Sequence, residues 1–415
     1  MTAQALQNRV TADTVRGARD RIASLVACTP CPSSMALSDL TGSEIFCKLD
    51  YLQRTGSFKE RGVANALTQL EPEHRQRGVI AASAGNHALA LAYHGRRLGI
   101  PVTVVMPRFA PLIKASTCRR LGAEVVTAGQ TFAEARQRAD VLVAERCLTY
   151  VHGFDDPAVI AGQGTLALEV LDQVPDVEAI IVPVGGGGLI AGMAVAMRTL
   201  RPEVRIIGVE PVRSASFTAA LQRDEPVAVV GEPTLADGLA VGRVGDNAFA
   251  LSRELVDRVV TVDENHLALA ILRLLELEKS VVEGAGAAPL AALLSGQLEE
   301  LRGRRVVLLL CGGNIDPLIL RRVIEHGLAA DGRLHRLEVH VSDRPGGLAQ
   351  LTAALAEAGA SVQDIRHDRI FAGPDVERVR VQVVLESRDA EHFSDVLQML
   401  RDQPIEVVTQ DGLLR

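Results

Sequence analysis

Short, uninterrupted apolar runs recur along the chain as far as Leu310. Ile45–Leu49, Val79–Ala82, Val102–Met106 and Val125–Thr127 read as strands, and Ala179–Val184, Val204–Glu210, Val256–Val262 and Arg305–Leu310 continue the series. Between them, apolar residues fall at three- and four-residue spacing over Ala88–Leu98, Pro111–Leu121 and Phe132–Arg146, which predicts helices, as does the pattern over residues 10–24. Strands without polar alternation, joined by helices, are the pattern of parallel sheets covered on both faces. The predicted fold class is α/β.

After Gly332 the pattern changes. Arg336–Val341 alternates apolar and polar residues, and a DRPGG turn then opens a helix running to Gly359. Alternating strands over Ser361–Ile370 and Glu377–Glu386, a helix over Ala390–Arg401 and a strand over Ile405–Thr409 follow. This βαββαβ order is the ferredoxin-like plan. The polar, glycine-containing stretch Asp331–Arg333 is a suitable boundary, placing one domain at 1–330 and another at 334–415.

Composition narrows the function classes. The chain has 415 residues, 47% of them apolar and 23% charged, which supports packed cores and, by length, roughly two to three domains. A formal charge of -7 argues against a nucleic-acid partner, which would want a basic face. No apolar run approaches the roughly 20 residues of a membrane span. The opening segment MTAQALQNRVTADTVRGARD lacks the apolar centre of a signal peptide, so a cytoplasmic protein without membrane contact is expected. Cys28 and Cys31 form a C-x-x-C pair, but no second pair or histidine follows at zinc-site spacing.

Four segments carry chemistry. In Gly56-Ser57-Phe58-Lys59-Glu60-Arg61-Gly62, Ser57 and Glu60 have capping-box spacing, which predicts a helix from Phe58 with Lys59 in its first turn. There the helix dipole and Arg61 would disfavour the ammonium form, and a neutral amine is what Schiff-base chemistry needs. Gly185, Gly186, Gly187 and Gly188 separate a buried strand from a small-residue helix and leave backbone N–H groups free for a phosphate. The same run fits a dinucleotide fingerprint, since Gly186, Gly188 and Ala191 match G-x-G-x-x-A and Glu210 follows about 20 residues on. Both readings stand on that segment alone.

Two further segments favour the simple phosphate. Ser83, Ala84, Gly85, Asn86 and His87 form a second strand-to-helix turn suited to a carboxylate, and Cys311 ends another strand. All three sites would lie beyond the carboxyl ends of strands, where open α/β sheets bind ligands. A dehydrogenase needs only one of them. His94 and His152 read as helix-face and loop histidines.

Taken together and in order, GSFKERG, SAGNHA, PVGGGGL, TLADGLAV and LCGGNID resemble the serine/threonine dehydratase (threonine ammonia-lyase) family of fold-type II pyridoxal-phosphate enzymes, related in fold to the tryptophan synthase β chain. Residues 334–415, with DRPGGL and DIRHDR, resemble the regulatory ACT domain. The resemblance implies a small subdomain of about residues 50–150 inserted in the larger one, with pyridoxal 5'-phosphate in the cleft. It implies Lys59 as Schiff-base lysine and general base, Phe58 against the pyridine ring and Asn86 on the ring hydroxyl. Gly185–Gly188 would hold the phosphate, and Cys311 would face the ring nitrogen. Ser83, Ala84, Gly85 and His87 would hold the substrate carboxylate, mainly through backbone N–H groups, with Gly238 and Glu283 more distant.

The implied reaction is β-elimination of L-threonine to 2-oxobutyrate and ammonia, and of L-serine to pyruvate, with the cofactor phosphate protonating the departing hydroxyl. The alternatives are a lyase for another β-hydroxy amino acid, a serine racemase, or an amino-acid sensor without turnover. Racemases of the family carry a serine where this chain has Ala84, which favours elimination. Some relatives bind a cation through a Glu and an Asp. Glu210 matches, but Ser216 stands at the Asp position, so no metal is expected. An amino-acid effector at the ACT domain and a homo-oligomer, dimer or tetramer, complete the expectation.

Overall fold

The computed structural model describes residues 10–110, 112–368 and 377–411. The chain divides into two compact units, Met1–Ile315 and Asp316–Arg415.

The first unit is built on two sheets. In chain order its strands are β1 (Ser33–Ser34), β2 (Glu44–Lys48), β3 (Val79–Ala82), β4 (Val102–Met106), β5 (Glu124–Thr127), β6 (Thr149–Tyr150), β7 (Ala179–Pro183), β8 (Arg205–Pro211), β9 (Arg258–Val262) and β10 (Arg305–Leu309). The larger sheet has the order β1-β2-β10-β7-β8-β9 and is parallel except for β1 against β2. The smaller, β5-β4-β3-β6, is parallel throughout. Val79, Ile80, Ala81, Val104 and Val105 of the small sheet, and Ile180, Ile181, Val182, Val307 and Leu308 of the large one, are fully buried. Both faces are therefore covered, as continuous apolar strands require. The order brings the carboxyl ends of β7 and β10 side by side in one sheet and that of β3 to the centre of the other.

Helices begin where local chemistry starts them. The predicted helix over 10–24 spans Ala12–Ile22, with Thr11 and Thr14 forming a reciprocal cap. Phe132–Arg146 is found as expected, capped by Thr131. The helix preceded by Gly85 runs Asn86–Leu98, two residues longer at its start than its apolar period suggests.

The second unit consists of the helix Pro317–Ala330 followed by β11 (Leu334–Ser342), a helix Gly347–Glu357, β12 (Ser361–Asp368), β13 (Arg378–Glu386), a helix Ala390–Arg401 and β14 (Glu406–Asp411). Its sheet, β12-β13-β11-β14, is antiparallel. Alternate residues Leu337, Val339, Val341, Val379, Val381 and Val383 are buried with Leu351, Leu355, Val396 and Leu400 of the two later helices. The period-two pattern in the sequence is this one buried face. Helix Pro317–Ala330 groups with this unit, although the change of pattern in the sequence comes after it, near Asp331–Arg333. Pro111, Arg369 and Ile370 lie outside the described residues. No described helix is long and apolar enough to cross a membrane.

Candidate active site

Lys59 opens the helix Lys59–Thr68 in the first unit, but not through the expected capping box. The N-cap is Phe58, without a side-chain cap. The Ser57 hydroxyl is buried without a partner among the described residues, and Glu60 turns away to accept the Thr55 N–H and meet His94 Nε2 at 3.2 Å. The Lys59 side chain is half-buried, and its amine donates to the Gly153 carbonyl at 2.6 Å. Burial pulls its pKa down to about 8. Roughly one-tenth of the amine is then neutral at pH 7.

Arg61, expected to help repel the ammonium, is occupied elsewhere. Its guanidinium pairs with Asp50 at 2.7 Å and Glu169 at 2.6 Å, and Lys48 pairs with Glu169 at 2.6 Å. These four charges balance one another in the interior and bind the lysine helix to the helix Pro157–Gln173 and to the segment after β2. Deleting one partner of such a pair costs about 3–5 kcal/mol, because the other charge stays buried alone. The network therefore holds Lys59 in place rather than tuning its charge.

The glycine run leaves β7 and enters the helix Gly188–Leu200. Among the described residues, the N–H groups of Gly185, Gly186, Gly187 and Gly188 have no hydrogen-bond acceptor. Gly187 has φ +88°, a left-handed conformation that favours glycine. A Cβ on Gly188 would stand 2.2 Å from the Phe154 carbonyl oxygen. The four amides thus form a bare cradle at a helix N-terminus.

One cavity of about 270 Å³ gathers the predicted residues: Phe58, Lys59, Ser83, Ala84, Gly85, Asn86, His87, the four glycines and Cys311 all line it. Two details differ from expectation. The Ser83 N–H is spent on the Val105 carbonyl, and the Gly85 N–H lies 3.3 Å from the Ser83 hydroxyl, so this turn offers fewer free backbone donors. The His87 ring is buried and bonds the Val151 carbonyl through Nε2, with its pKa lowered to about 3 by burial and by Lys59.

Acids also reach the cavity. Glu283 and Asp237 line it. Glu283 Oε1 accepts from Asn86 Nδ2 at 2.6 Å, and Asn86 Oδ1 accepts from Asn314 Nδ2 at 2.9 Å. Asn86 is thereby fixed with its amide nitrogen toward Glu283. Burial and the neighbouring Asp237 push the Glu283 carboxyl up to about 7. Asp237 faces Lys114 at 3.7 Å, linking the helix Leu112–Arg120 to the Asp237–Leu239 turn. Burial also raises the Cys311 thiol well above its ordinary value, so it is uncharged.

Comparison with known proteins decides the family. Residues 22–312 match the family described as pyridoxal-phosphate dependent enzyme, and residues 335–404 match the ACT domain. The chain belongs to the pyridoxal-phosphate-dependent enzymes. It is 43% identical over 398 residues to an L-threonine ammonia-lyase of Thermotoga maritima, covering 96% of this chain and 99% of that one. Its structure resembles the processed form of threonine deaminase isoform 2 from Solanum lycopersicum, with TM-score 0.72, 37% identity and coverage of 76% of this chain and 93% of that one. It also resembles maize serine racemase, with TM-score 0.73, 32% identity and coverage of 75% and 96%.

The cavity of this pyridoxal-phosphate enzyme fits its cofactor. Unpartnered amides over a surface that a Cβ would fill suit a phosphate, and a half-buried amine of pKa about 8 suits an aldehyde. The dinucleotide reading of the glycine run falls away. Glu210, its supposed ribose ligand, instead accepts the N–H groups of Phe217 at 2.7 Å and Thr218 at 2.8 Å, capping the next helix. Among the described residues no cluster of three or more His, Cys, Asp or Glu could hold a metal. The six cysteines are free thiols. His94 is a buried partner of Glu60, whereas His152 lines the cavity. Glu283, expected only at a distance, bonds Asn86 directly, and Asn314 of LCGGNID bonds it from the other side, whereas His152 could not be assigned because its loop carries no periodicity.

Proposed function

We propose that this enzyme eliminates water from L-threonine, and also from L-serine, giving 2-oxobutyrate or pyruvate and ammonia. The observation that carries this reading is the convergence on one cavity of the Lys59 amine, the four unpartnered glycine amides and the Ser83–His87 turn. The names of the relatives, L-threonine ammonia-lyase and threonine deaminase, support it.

When bound, the cofactor draws electrons from the substrate's α-carbon and makes its proton removable. The chain's own groups do the rest. Gly185–Gly188 hold the phosphate with amide dipoles, and among the described lining residues Lys59 is the only lysine or arginine. Asn86, oriented by Glu283 and Asn314, would hold the ring hydroxyl, and Phe58 would supply an apolar contact for the ring. Cys311 offers the ring nitrogen an uncharged thiol. The α-carbon's proton moves to Lys59 Nζ, for which a pKa near 8 is well matched. Ala84 and His87 orient the substrate carboxylate by backbone N–H groups, Ser83 does so by its hydroxyl, and Gly85 keeps the turn open.

Racemisation is the second reading, favoured by the likeness to maize serine racemase. Ala84 offers only a methyl group where a second proton carrier would be needed. Incubation with L-threonine and L-serine, with assay for 2-oxo acids and for D-serine, tests the reading. Failure to form a 2-oxo acid would sink it, and D-serine formed as fast as pyruvate would replace it with the second.

The protein works in the cytoplasm as a homo-oligomer, and its ACT domain binds an amino-acid effector, in keeping with the match over residues 335–404. An effector alters activity only through unequal affinity for active and inactive states. Titration with branched-chain amino acids should change the apparent KM of the full chain and leave a chain ending at Ile315 unaffected; identical responses would exclude regulation through this unit.

A further inference from the structure

His152 lies outside every motif that points to the cofactor, in the loop between β6 and the helix Pro157–Gln173. Its Nδ1 accepts the backbone N–H groups of Phe154 at 3.3 Å and Asp155 at 2.9 Å. An imidazole that accepts at Nδ1 carries its proton at Nε2. Burial, helped by Arg136 and Lys59, lowers its pKa to about 4, so the ring is neutral at physiological pH. No described residue bonds Nε2, and the residue lines the cavity. The ring is clamped edge-on to Phe154 at 4.6 Å and tilted against Tyr150 at 6.0 Å, so the donor direction is fixed by the loop.

The surroundings indicate what that donor meets. The Tyr150 hydroxyl accepts the N–H of Ala82, the residue before the Ser83–His87 turn, so the wall carrying His152 continues into that turn. On its other side Phe154 intervenes between His152 and the glycine cradle, with its ring against Gly186 and its carbonyl against Gly188. Phe154 thus stands between His152 and the glycine cradle, and His152 and the turn line the same cavity. That turn is short of donors, since the N–H groups of Ser83 and Gly85 are engaged within the protein.

We propose that His152 is a specificity-determining residue whose Nε2–H holds a carboxylate oxygen of the amino-acid substrate, completing the turn at Ser83–His87. This rests on the amino-acid lyase reading above. A neutral donor binds the carboxylate without placing a second positive charge beside Lys59.

The test compares holoenzyme carrying His152→Phe, which keeps the ring packing and removes the donor, with His152→Gln, which restores a donor at similar reach. Binding of L-2-aminobutyrate, which has amine and carboxylate but no leaving hydroxyl, is followed by cofactor absorbance beside propylamine, which lacks the carboxylate. His152→Phe should weaken aminobutyrate about tenfold, the loss of one hydrogen bond to a charged group, and leave propylamine and cofactor affinity unchanged. KM for threonine should rise with kcat kept within about threefold, and His152→Gln should recover most of the loss. Unchanged aminobutyrate binding, equal weakening of both ligands, or reduced cofactor affinity would each overturn the proposal. The binding arm decides for His152 even where the wild type turns over no threonine, an outcome that would sink the lyase reading alone.

Discussion

Glu283 provides a test of the site's electrostatics that needs no substrate. Its carboxyl is buried, accepts from Asn86 Nδ2 at 2.6 Å, and is displaced from its ordinary value of 4.5 to about 7, chiefly by burial and further by Asp237. Below pH 4.5 the group is protonated in both folded and unfolded chains and favours neither. As pH rises from 4.5 to about 7 the unfolded chain gives up its proton first, so folding stability falls; above 7 the loss is complete. The full displacement corresponds to about 3 kcal/mol. Glu283→Gln keeps an acceptor for Asn86 and cannot ionise. Urea unfolding of cofactor-free wild type and variant should show the wild type losing about 2–3 kcal/mol relative to the variant between pH 5 and pH 8.5. Parallel stability profiles would refute the reasoning and place the carboxyl in contact with solvent or a cation.

Lys59→Ala should abolish turnover with the fold intact, and borohydride treatment of the wild type should attach the cofactor to the peptide containing Lys59; attachment at another lysine would move the assignment. Gly188→Ala sets a Cβ 2.2 Å from the Phe154 carbonyl oxygen. Overpacking of about 1–3 kcal/mol should weaken pyridoxal phosphate binding roughly 5- to 150-fold in a fluorescence titration, and an unchanged Kd would show that the cradle lies elsewhere. Cys311→Ser, also uncharged, should retain most activity, whereas Cys311→Asp should slow elimination and alter the cofactor's visible spectrum; a harmless Asp would remove Cys311 from the ring nitrogen.

The sequence by itself determined what depends on neighbours along the chain. Continuous apolar strands such as Val79–Ala82 and Ala179–Pro183 announced parallel sheets, because a strand covered on both faces has no polar side to show. Alternation in β11 and β13 announced a sheet with one buried face. Glycines 185–188 announced a bare backbone cradle at a strand-to-helix junction, and the structure shows their N–H groups without acceptors among the described residues.

Tertiary structure decided whatever depends on distant residues. Ser57 and Glu60 have the spacing of a capping box, yet Glu60 is drawn away by Thr55 and His94, the latter from a different helix. Arg61 stands two residues from Lys59 but spends its charge on Asp50 and Glu169, so burial rather than Arg61 lowers the lysine's pKa. Glu283 and Asn314 orient Asn86 from far along the chain, and His152 gains its place from a loop without pattern. Hydrogen bonds and desolvation act through space, and local spacing carries no record of which distant groups the fold brings within about 3 Å.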